Sequence, residues 1–427
     1  MTSSDTIFAL SSGAPPAAIG VIRVSGPQAG EALRALTGRL PEPRRASLAT
    51  LRDAAGTALD SALVLWFPGP KTATGEDLAE LHCHGGRAVI AAVEGALAAI
   101  PGFRRAEPGE FTRRAFANGR LDLAEAEGLA DLLSAETELQ RAAALGAMQG
   151  ALSRQVEAWR GQLLTLSAQL EAVLDFSDEE DAADLPQGFM GNIAVLAREL
   201  HEWLARPRSE RLGEGFRVVL AGPPNAGKST LFNALVESEA AITSPIAGTT
   251  RDVIERSVAI GGVPFTFVDT AGLRDEGSDA IEAIGIDRAR GELVRADVVL
   301  WLGTEGEGPE RCWEIAAQAD RAEFAPKALA RHTLSAATGE GVSALKSALV
   351  EAAREALPKP GEAALNARQH ARLAEAAEAL TAAQALGDSL LIAEELRRAR
   401  LAFDRLVGRA TTEDMLDALF GRFCIGK

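Results

Sequence analysis

The most informative chemical pattern in the sequence is an eight-residue loop between a short apolar run and a helical segment. Gly222-Pro-Pro-Asn-Ala-Gly227-Lys228-Ser229 matches the phosphate-binding pattern G-x-x-x-x-G-K-[ST]. Its glycines let backbone N–H groups turn toward phosphate oxygens, and the helix start adds a favourable dipole. Lys228 would reach the β- and γ-phosphates, and Ser229 would ligate Mg²⁺. The flanking strand and helix patterns argue against a chance glycine-rich turn.

Three later segments complete a nucleotide-site pattern. Residues 248–252, Gly-Thr-Thr-Arg-Asp, place a threonine hydroxyl in a switch loop that could reach Mg²⁺. Residues 269–272, Asp-Thr-Ala-Gly, follow a strand and offer an N–H to the γ-phosphate. Residues 334–337, Leu-Ser-Ala-Ala, are typical of a base-contacting loop. In this order after the phosphate loop, the segments predict a GTPase rather than a generic ATPase.

The guanine-reading segment departs from the usual pattern. GTPases of this class read guanine with Asn-Lys-x-Asp after a strand, and here the segment is Ala317-Gln318-Ala319-Asp320. Asp320 can still accept hydrogen bonds from the guanine N1–H and the exocyclic amine. The asparagine and lysine are gone, so we predict weaker nucleotide binding with the preference for guanine retained.

The elements that must position these residues alternate in an α/β pattern over 214–350. Phe216–Ala221, Pro264–Val268 and Asp297–Leu302 read as short apolar strands of a parallel sheet. The stretch between Leu302 and Trp313 is short for a crossover that includes a helix. Either a bare loop crosses there, or the strand that holds Ile315 pairs differently.

The rest of the chain divides into an N-terminal region and two helical regions. Residues 1–118 mix turns with predicted strands at Ile19–Val24 and Ala62–Phe67. Residues 119–213 and 351–427 are rich in alanine and leucine, with apolar residues at helical spacing. Because helical regions flank the α/β segment, we predict that 214–350 is inserted into one helical domain.

Composition limits the classes of protein to consider. The chain has 427 residues and a net charge of −16, which argues against binding nucleic acid mainly by bulk charge. Three cysteines imply no disulfide framework and favour a reducing compartment. The first residues carry no secretory signal pattern, and no apolar run reaches the roughly 18 residues that span a bilayer. We therefore expect a soluble, cytoplasmic protein without membrane association.

Motifs along nearly the whole length resemble those of the MnmE (TrmE) family of tRNA-modification GTPases. They include Ile-Arg-Val-Ser-Gly at 22–26, Glu-Leu-His-Cys-His-Gly-Gly at 80–86 and Pro-Gly-Glu-Phe-Thr-Arg-Arg at 108–114. The phosphate loop, Ala-Gly-Thr-Thr-Arg-Asp at 247–252 and the terminal Cys-Ile-Gly-Lys at 424–427 follow. The resemblance implies a multidomain fold: an N-terminal α+β tetrahydrofolate-binding domain, a central helical domain, and an inserted Ras-like P-loop α/β GTPase domain.

The resemblance also implies an activity and partners. A homodimer would join an FAD-dependent partner subunit, MnmG (GidA), in a heterotetramer. Together they would add a carboxymethylaminomethyl-type group at C5 of the wobble uridine of certain tRNAs. A tetrahydrofolate derivative would supply a carbon, and GTP hydrolysis would be coupled to K⁺-dependent dimerisation of the GTPase domains.

Site residues are carried over from the family by position. The resemblance implies catalytic roles for Glu282, which would orient the attacking water, and Cys424. Folate contacts would be Arg23, Glu80, Arg120 and Lys427, the ligands of Mg²⁺ would be Ser229 and Thr250, and those of K⁺ would be Asn225, Ser244, Ile246 and Thr249. The nucleotide contacts would be Asn225, Ala226, Gly227, Lys228, Ser229, Thr230, Ser244, Ile246, Thr249, Thr250, Asp269, Thr270, Ala271, Gly272, Asp320, Ser335 and Ala336.

Several alternatives stay open at the level of sequence. The run His82-Cys83-His84 could ligate a metal, but too few further ligands lie nearby, which favours a structural role. The basic residues of 104–120 could touch tRNA or form an ordinary solvated surface. Cys424 could equally be inert packing. Other functions to weigh are a non-catalytic ribosome-assembly switch and a folate-dependent transferase with a degenerate GTPase module.

Overall fold

A computed structural model describes residues 5–175, 185–237, 239–241, 254–270, 290–310, 312–359, 363–410, 412–421 and 423–426. Its helices are α1 Ala29–Thr37, α2 Arg87–Ala98, α3 Glu110–Ala117, α4 Leu123–Ser134, α5 Glu138–Met148, α6 Ala151–Asp175, α7 Phe189–Leu204, α8 Glu210–Glu214, α9 Lys228–Val236, α10 Val342–Ala356, α11 Ala367–Gln384, α12 Ser389–Leu406 and α13 Glu413–Phe420. Its strands are β1 Thr6–Leu10, β2 Ile19–Ser25, β3 Ser47–Arg52, β4 Ala58–Phe67, β5 Leu78–His84, β6 Phe103–Arg105, β7 Phe216–Ala221, β8 Ala240–Ala241, β9 Ile254–Ile260, β10 Val263–Asp269, β11 Val298–Trp301, β12 Trp313–Ala316 and β13 His332–Thr333.

The chain forms two compact units, the first of which contains residues 1–130 and 404–427. Its six-stranded sheet has the order β3-β4-β5-β2-β1-β6, antiparallel except for the β1–β6 pair. Alternate residues of the strands face α1 and α2, and Ile22, Val64 and Leu81 are fully buried there. This is an α+β arrangement. Helices α3 and α13 pack together in the same unit, with the rings of Phe116 and Phe420 6.1 Å apart.

The second unit, residues 131–403, carries a seven-stranded sheet in the order β13-β12-β11-β7-β10-β9-β8. Strands β13, β12, β11, β7 and β10 are parallel, and β9 and β8 continue the sheet antiparallel. Leu220, Phe267 and Leu300 are fully buried at the centre of its core. The predicted P-loop α/β fold is confirmed. Residues 302–310 contain no helix, so a bare loop crosses from β11 to the parallel strand β12.

The helical part of the second unit confirms the helical spacing read from the sequence. Leu163, Leu166 and Leu170 are buried on one face of α6. Trp159 on the same helix is fully buried, 5.2 Å from the ring of Trp203 and 6.0 Å from that of Phe403. The region from 121 to 172 contains three helices, α4, α5 and α6. Gly150 has φ 75°, in the left-handed region, which ends α5 before α6 begins.

Candidate functional site

The phosphate loop lies between β7 and α9, where the sequence places it. Gly227 has φ 92° and Gly222 has φ 146°, conformations that L side chains rarely adopt. A Cβ at Gly222 would also lie 3.0 Å from the backbone nitrogen of Gly303, in the loop that follows β11. Both glycines are therefore required by the backbone path, and this path leads directly into the N-terminus of α9.

Lys228 fills the inside of this loop. Its side chain is buried, and Nζ donates to the carbonyl oxygens of Gly222 at 2.9 Å and Pro223 at 2.8 Å. The loop carbonyls thus hold an ammonium group in the cup that the loop encloses. A cation there, next to a helix N-terminus, suits the charge and the acceptor oxygens of a polyphosphate.

Ser229 and Asp269 meet beside the loop. The Ser229 hydroxyl donates to Asp269 Oδ2 at 2.6 Å, and Asp269 is almost fully buried. Strand β10 pairs with β7 so that Asp269 lies opposite Leu220, and the Thr270 hydroxyl donates to the Leu220 carbonyl at 2.8 Å. Both residues lie where the carboxyl ends of parallel strands meet, the usual ligand edge of such a sheet.

The pair of oxygen donors fits Mg²⁺ in the company of phosphate. Mg²⁺ is commonly bound by one or two carboxylates or hydroxyls together with substrate phosphates and water. Within the described ranges no group of three or more His, Cys, Asp or Glu side chains could hold a metal by itself. A divalent ion beside Ser229 and Asp269 would take further ligands from a bound nucleotide, from water and from the predicted ligand Thr250, which lies outside the described residues.

The segment that follows β12 lies in contact with the segment that follows β13. The buried Ser335 hydroxyl donates to Asp320 Oδ1 at 2.5 Å, and the backbone N–H of Ala319 donates to the Leu334 carbonyl at 3.1 Å. The hydroxyl of Ser335 lowers the pKa of the exposed Asp320 carboxyl below its ordinary value. Ala336 packs against the core of the unit. The arrangement presents an ionised acceptor to solvent, as guanine recognition by Asp320 requires.

Several predicted site residues lie outside the described parts of the chain, and the roles expected for them stay predictions: Ser244, Ile246, Thr249, Thr250, Ala271, Gly272, Glu282 and Lys427. The described members of the nucleotide set, from the phosphate loop, β10 and the segments after β12 and β13, all belong to the second unit.

The first unit brings together two of the predicted folate contacts. Arg23 on β2 lies opposite Glu80 on β5, and its Nη2 is 3.1 Å from Glu80 Oε1. The other carboxylate oxygen of Glu80 lies 3.2 Å from His82 Nε2. The guanidinium of Arg23 also lies 5.9 Å from the centre of the Phe111 ring. Arg120 is exposed, and its guanidinium has no hydrogen-bond or ion-pair partner among the residues that the structure describes.

The C-terminal segment returns to the first unit. The carbonyl of Cys424 accepts a long hydrogen bond, 3.5 Å, from the N–H of Gly109, and Ile425 forms a β-bridge with Pro108. Gly426 approaches so closely that an added Cβ would lie 2.2 Å from the Leu10 carbonyl oxygen. Cys424 itself is exposed. A thiol from the end of the chain is thereby held on the unit that carries Arg23 and Glu80.

The histidine and cysteine run is divided by the alternation of β5. His82 and His84 share one face of the strand, where they contact Glu80 and Asp60. Cys83 points to the core, and burial, with a smaller contribution from Asp60, raises its pKa to about 12. A buried thiol that resists ionisation is a poor metal ligand.

Acidic partners of the N-terminal arginines were missed at the sequence level. Arg104 pairs with Asp5 and Glu110, and Arg105 pairs with Glu94. Arg113 and Arg114 are also ion-paired, the latter in a buried network. The spacing of Glu110 and Arg114, four residues apart on α3, was a signal for one of these pairs. Because carboxylates neutralise these arginines, their positive charge is less available to bind RNA phosphates.

Comparisons with known proteins show which family the chain resembles. A family model described as the MnmE helical domain matches residues 123–424, and one described as the GTP-binding protein TrmE N-terminus matches residues 6–120. A protein of Erythrobacter litoralis named tRNA modification GTPase MnmE is 66% identical over 423 residues, which cover 99% of this chain and 100% of the relative. A protein of the same name from Novosphingobium aromaticivorans is 65% identical over 436 residues, with 99% and 100% covered.

Solved structures give a weaker likeness. The G domain of the T. maritima FeoB iron transporter is 27% identical with a TM-score of 0.23, and covers 32% of this chain and 98% of that chain. A TM-score this low supports no argument. Among the described helices, none has the length and apolar character needed to cross a membrane.

Proposed function

Given that the chain belongs to the family of the tRNA modification GTPase MnmE and is a GTP hydrolase, we propose that GTP hydrolysis here serves the modification of C5 of the wobble uridine of certain tRNAs. The observation that supports the proposal is the described part of the phosphate site, with Lys228 inside its loop and the Ser229 hydroxyl bonded to Asp269. Water attacks the γ-phosphorus, the bond to the β-phosphate oxygen breaks, and GDP, phosphate and a proton leave.

The chain's own residues have separate tasks in that reaction. Lys228 binds the β- and γ-phosphates, and the backbone N–H groups at the start of α9 face the same charge. Ser229 and, by the family resemblance, Thr250 would hold Mg²⁺, which when bound neutralises charge on the phosphates, and Asp269 would fix the Ser229 hydroxyl. Asp320 holds the guanine edge. Glu282 orients the attacking water, an assignment that rests on the family resemblance.

Potassium and dimerisation form a further part of the proposal. Asn225, Ser244, Ile246 and Thr249 would hold K⁺ beside the phosphates, where a cation stabilises the charge of the transition state. Two copies of the GTPase domain would meet at the nucleotide face, so hydrolysis and phosphate loss would separate them. The cycle would then move the modification centre rather than take part in its chemistry.

The modification centre is proposed on the first unit. A carboxylate and guanidinium pair suits the polar edge of a pterin, and a free guanidinium suits a glutamate tail. Arg23, Glu80 and Arg120 provide these groups, and Lys427 would join them. The exposed Cys424 lies at the end of a segment packed on the same unit. A methylene-tetrahydrofolate would supply the carbon, a flavin-dependent partner, MnmG, would complete the chemistry, and the complex would act in the cytoplasm.

Two other functions account for less of the molecule. A ribosome-assembly switch would need the phosphate loop but would give no task to Arg23, Glu80 or Cys424. A folate-dependent transferase with an inert GTPase module is favoured by the loss of Asn and Lys at 317 and 318. An inert module would not need the hydrogen bonds that hold Lys228 inside the phosphate loop and join Ser229 to Asp269.

A deletion strain tests the proposal. Digested tRNA from the strain should lack the modified wobble uridine, and the wild-type gene should restore it. A Lys228→Ala gene should not restore it, because the phosphates lose their cation. A Cys424→Ser gene should also fail, while its product hydrolyses GTP normally and faster in K⁺ than in Na⁺. Normal wobble uridines in the deletion strain would refute the proposed function.

A further inference from the structure

Two different loops would bind the phosphate end and the base end of a guanine nucleotide, and the strands that lead into these loops are not neighbours in the sheet. The phosphate loop follows β7, and the base-reading segment 317–320 follows β12. Strand β11 lies between β7 and β12, so no ladder hydrogen bond connects them. The sheet sets the spacing of the two loops only through β11, and a direct contact between the loops would hold them more firmly at the distance that both ends of the nucleotide require.

Gln318 makes such a contact. Its side-chain Nε2 donates to the carbonyl oxygen of Asn225, in the phosphate loop, at 3.1 Å. The same amide lies against Gly227, where an added Cβ would stand 3.1 Å from Nε2 and 3.4 Å from Cγ. The absence of a side chain at Gly227 thus leaves the space that the amide of Gln318 occupies.

The backbone at both ends of this hydrogen bond is unusual. Gln318 and Asn225 each have φ 61°, in the left-handed region. Among the described residues other than glycine, only Arg44 shares a positive φ. A positive φ is energetically unfavourable for glutamine. Residues keep such a conformation where surrounding contacts stabilise it, often at ligand-binding sites. The conformation of Gln318 directs its amide to the phosphate loop.

We propose that Gln318 is a positioning residue, which fixes the base-reading segment to the phosphate loop through the carbonyl of Asn225. It supplies a hydrogen-bond donor at the position where the usual guanine-reading pattern has a lysine. The inference rests on the proposed role of segment 317–320 in binding guanine. With the two loops held together, less ordering is required on binding, and affinity for the whole nucleotide rises.

Three variants of the full-length protein test this role. Gln318→Met keeps the length of the side chain and removes the donor. Gln318→Asn keeps an amide and tolerates a positive φ, but is one methylene shorter. Gln318→Lys restores a donor on a long side chain. The matched control is Gln384→Met on α11, which removes an amide that donates to the Leu380 carbonyl at 3.2 Å within its own helix.

The dissociation constants for GDP and for a non-hydrolysable GTP analogue, measured by calorimetry, should rise about fivefold in Gln318→Met and Gln318→Asn, the loss of one hydrogen bond. KM for GTP should rise equally, with kcat within about twofold. Gln318→Lys should return the affinity to within about twofold of wild type, and Gln384→Met should leave it unchanged. The ratio of GTP to ATP affinity should stay constant, because Asp320 is untouched.

Wild-type affinity in Gln318→Met, or a lysine variant as weak as the methionine variant, would overturn the positioning role while leaving the GTPase assignment intact. Wild-type affinity in Gln318→Asn would overturn it as well. If the unchanged protein bound GTP and ATP equally, the proposed guanine site itself would fail, and the inference with it. The thermal midpoint of each variant identifies any that lost affinity by unfolding.

Discussion

Substitution of Arg114 by methionine should weaken the first unit by removing the centre of a buried ion network. The Arg114 side chain is 7% exposed, and Nη2 donates to Asp5 at 2.9 Å and to Glu110 at 3.0 Å. Nη1 lies 3.2 Å from Glu76. Methionine fills similar space without charge, so three carboxylates lose a buried guanidinium. These contacts connect the residue before β1, the segment before β5 and helix α3.

Breaking a buried ion pair typically costs about 3–5 kcal/mol. Arg104 continues to neutralise Asp5 and Glu110, so we expect the lower end, about 3 kcal/mol. That loss lowers the midpoint of thermal unfolding by about 9 °C in a unit of this size. In the full chain it should appear as roughly a hundredfold faster hydrogen exchange in peptides from β1 and α3, where exchange follows opening of the unit.

The network also gives the stability of the unit a defined dependence on pH. Burial acts to raise the pKa of Asp5 and Glu110, but their bonds to Arg104 and Arg114 outweigh it, so both pKa values lie below their ordinary 3.8 and 4.5. A carboxyl whose pKa is lower when folded contributes stability above its unfolded pKa and loses it as pH falls through the folded pKa. Acid destabilisation below about pH 5 should be less steep in Arg114→Met.

Mass spectrometry of hydrogen exchange on the full-length protein is the assay, with Arg34→Met as the matched control. Arg34 pairs with Glu31 on α1, and both side chains are more than half exposed. An exposed pair of this kind contributes about 0–1 kcal/mol. If exchange in β1 and α3 were equally slow in the two variants, the network would not stabilise the unit, and the reasoning from burial would be wrong.

Three further substitutions test the candidate sites. Asp320→Asn should reduce the preference for GTP over ATP in competition binding by about tenfold or more, because guanine loses a charged hydrogen-bond acceptor. An unchanged preference would show that residues 317–320 are not the guanine-reading segment. Ser229→Ala should lower GTP turnover at saturating Mg²⁺ by about tenfold or more while nucleotide binding without Mg²⁺ persists; equal turnover would exclude the hydroxyl as a ligand. Cys424→Ser should leave GTP turnover unchanged and abolish wobble-uridine modification in cells, and retained modification would assign the thiol to packing.

Local patterns were sufficient to predict part of the fold. Apolar runs placed β7, β10 and β11 to within a few residues, because a strand buried on both faces must be apolar along its length. The run at Ile19–Val24 also placed β2, although the residues of that strand alternate between the buried core and the less buried face of the sheet. The helical spacing of Leu163, Leu166, Leu170 and Leu174 likewise marked one face of α6, which is buried at the first three residues and half-buried at Leu174. The breaks between α4, α5 and α6 were missed, although Gly150 and the capping box of Thr137 and Gln140 are local signals for them.

The candidate sites were predictable where sequence order fixes spatial order. Ser229 and Asp269 had to approach each other, because both follow parallel neighbouring strands at the same sheet edge. Arg114 gave no comparable signal for Asp5, which is more than a hundred positions away. The return of Cys424 to the first unit likewise depends on contacts with Gly109 and Leu10 that no local pattern encodes. Only the family resemblance linked that cysteine to the N-terminal region.

The base-reading segment illustrates why a missing motif is not the same as a missing site. Sequence comparison reports that the asparagine and lysine are absent, and predicts weaker binding from that alone. The bare loop from β11 nevertheless brings β12 into parallel register, so Asp320 still meets Ser335. The backbone of Gln318 turns its amide toward Asn225. On the proposed role of Gln318, this conformation compensates in part for the missing lysine, and the conformation of a single non-glycine residue is not encoded in a motif.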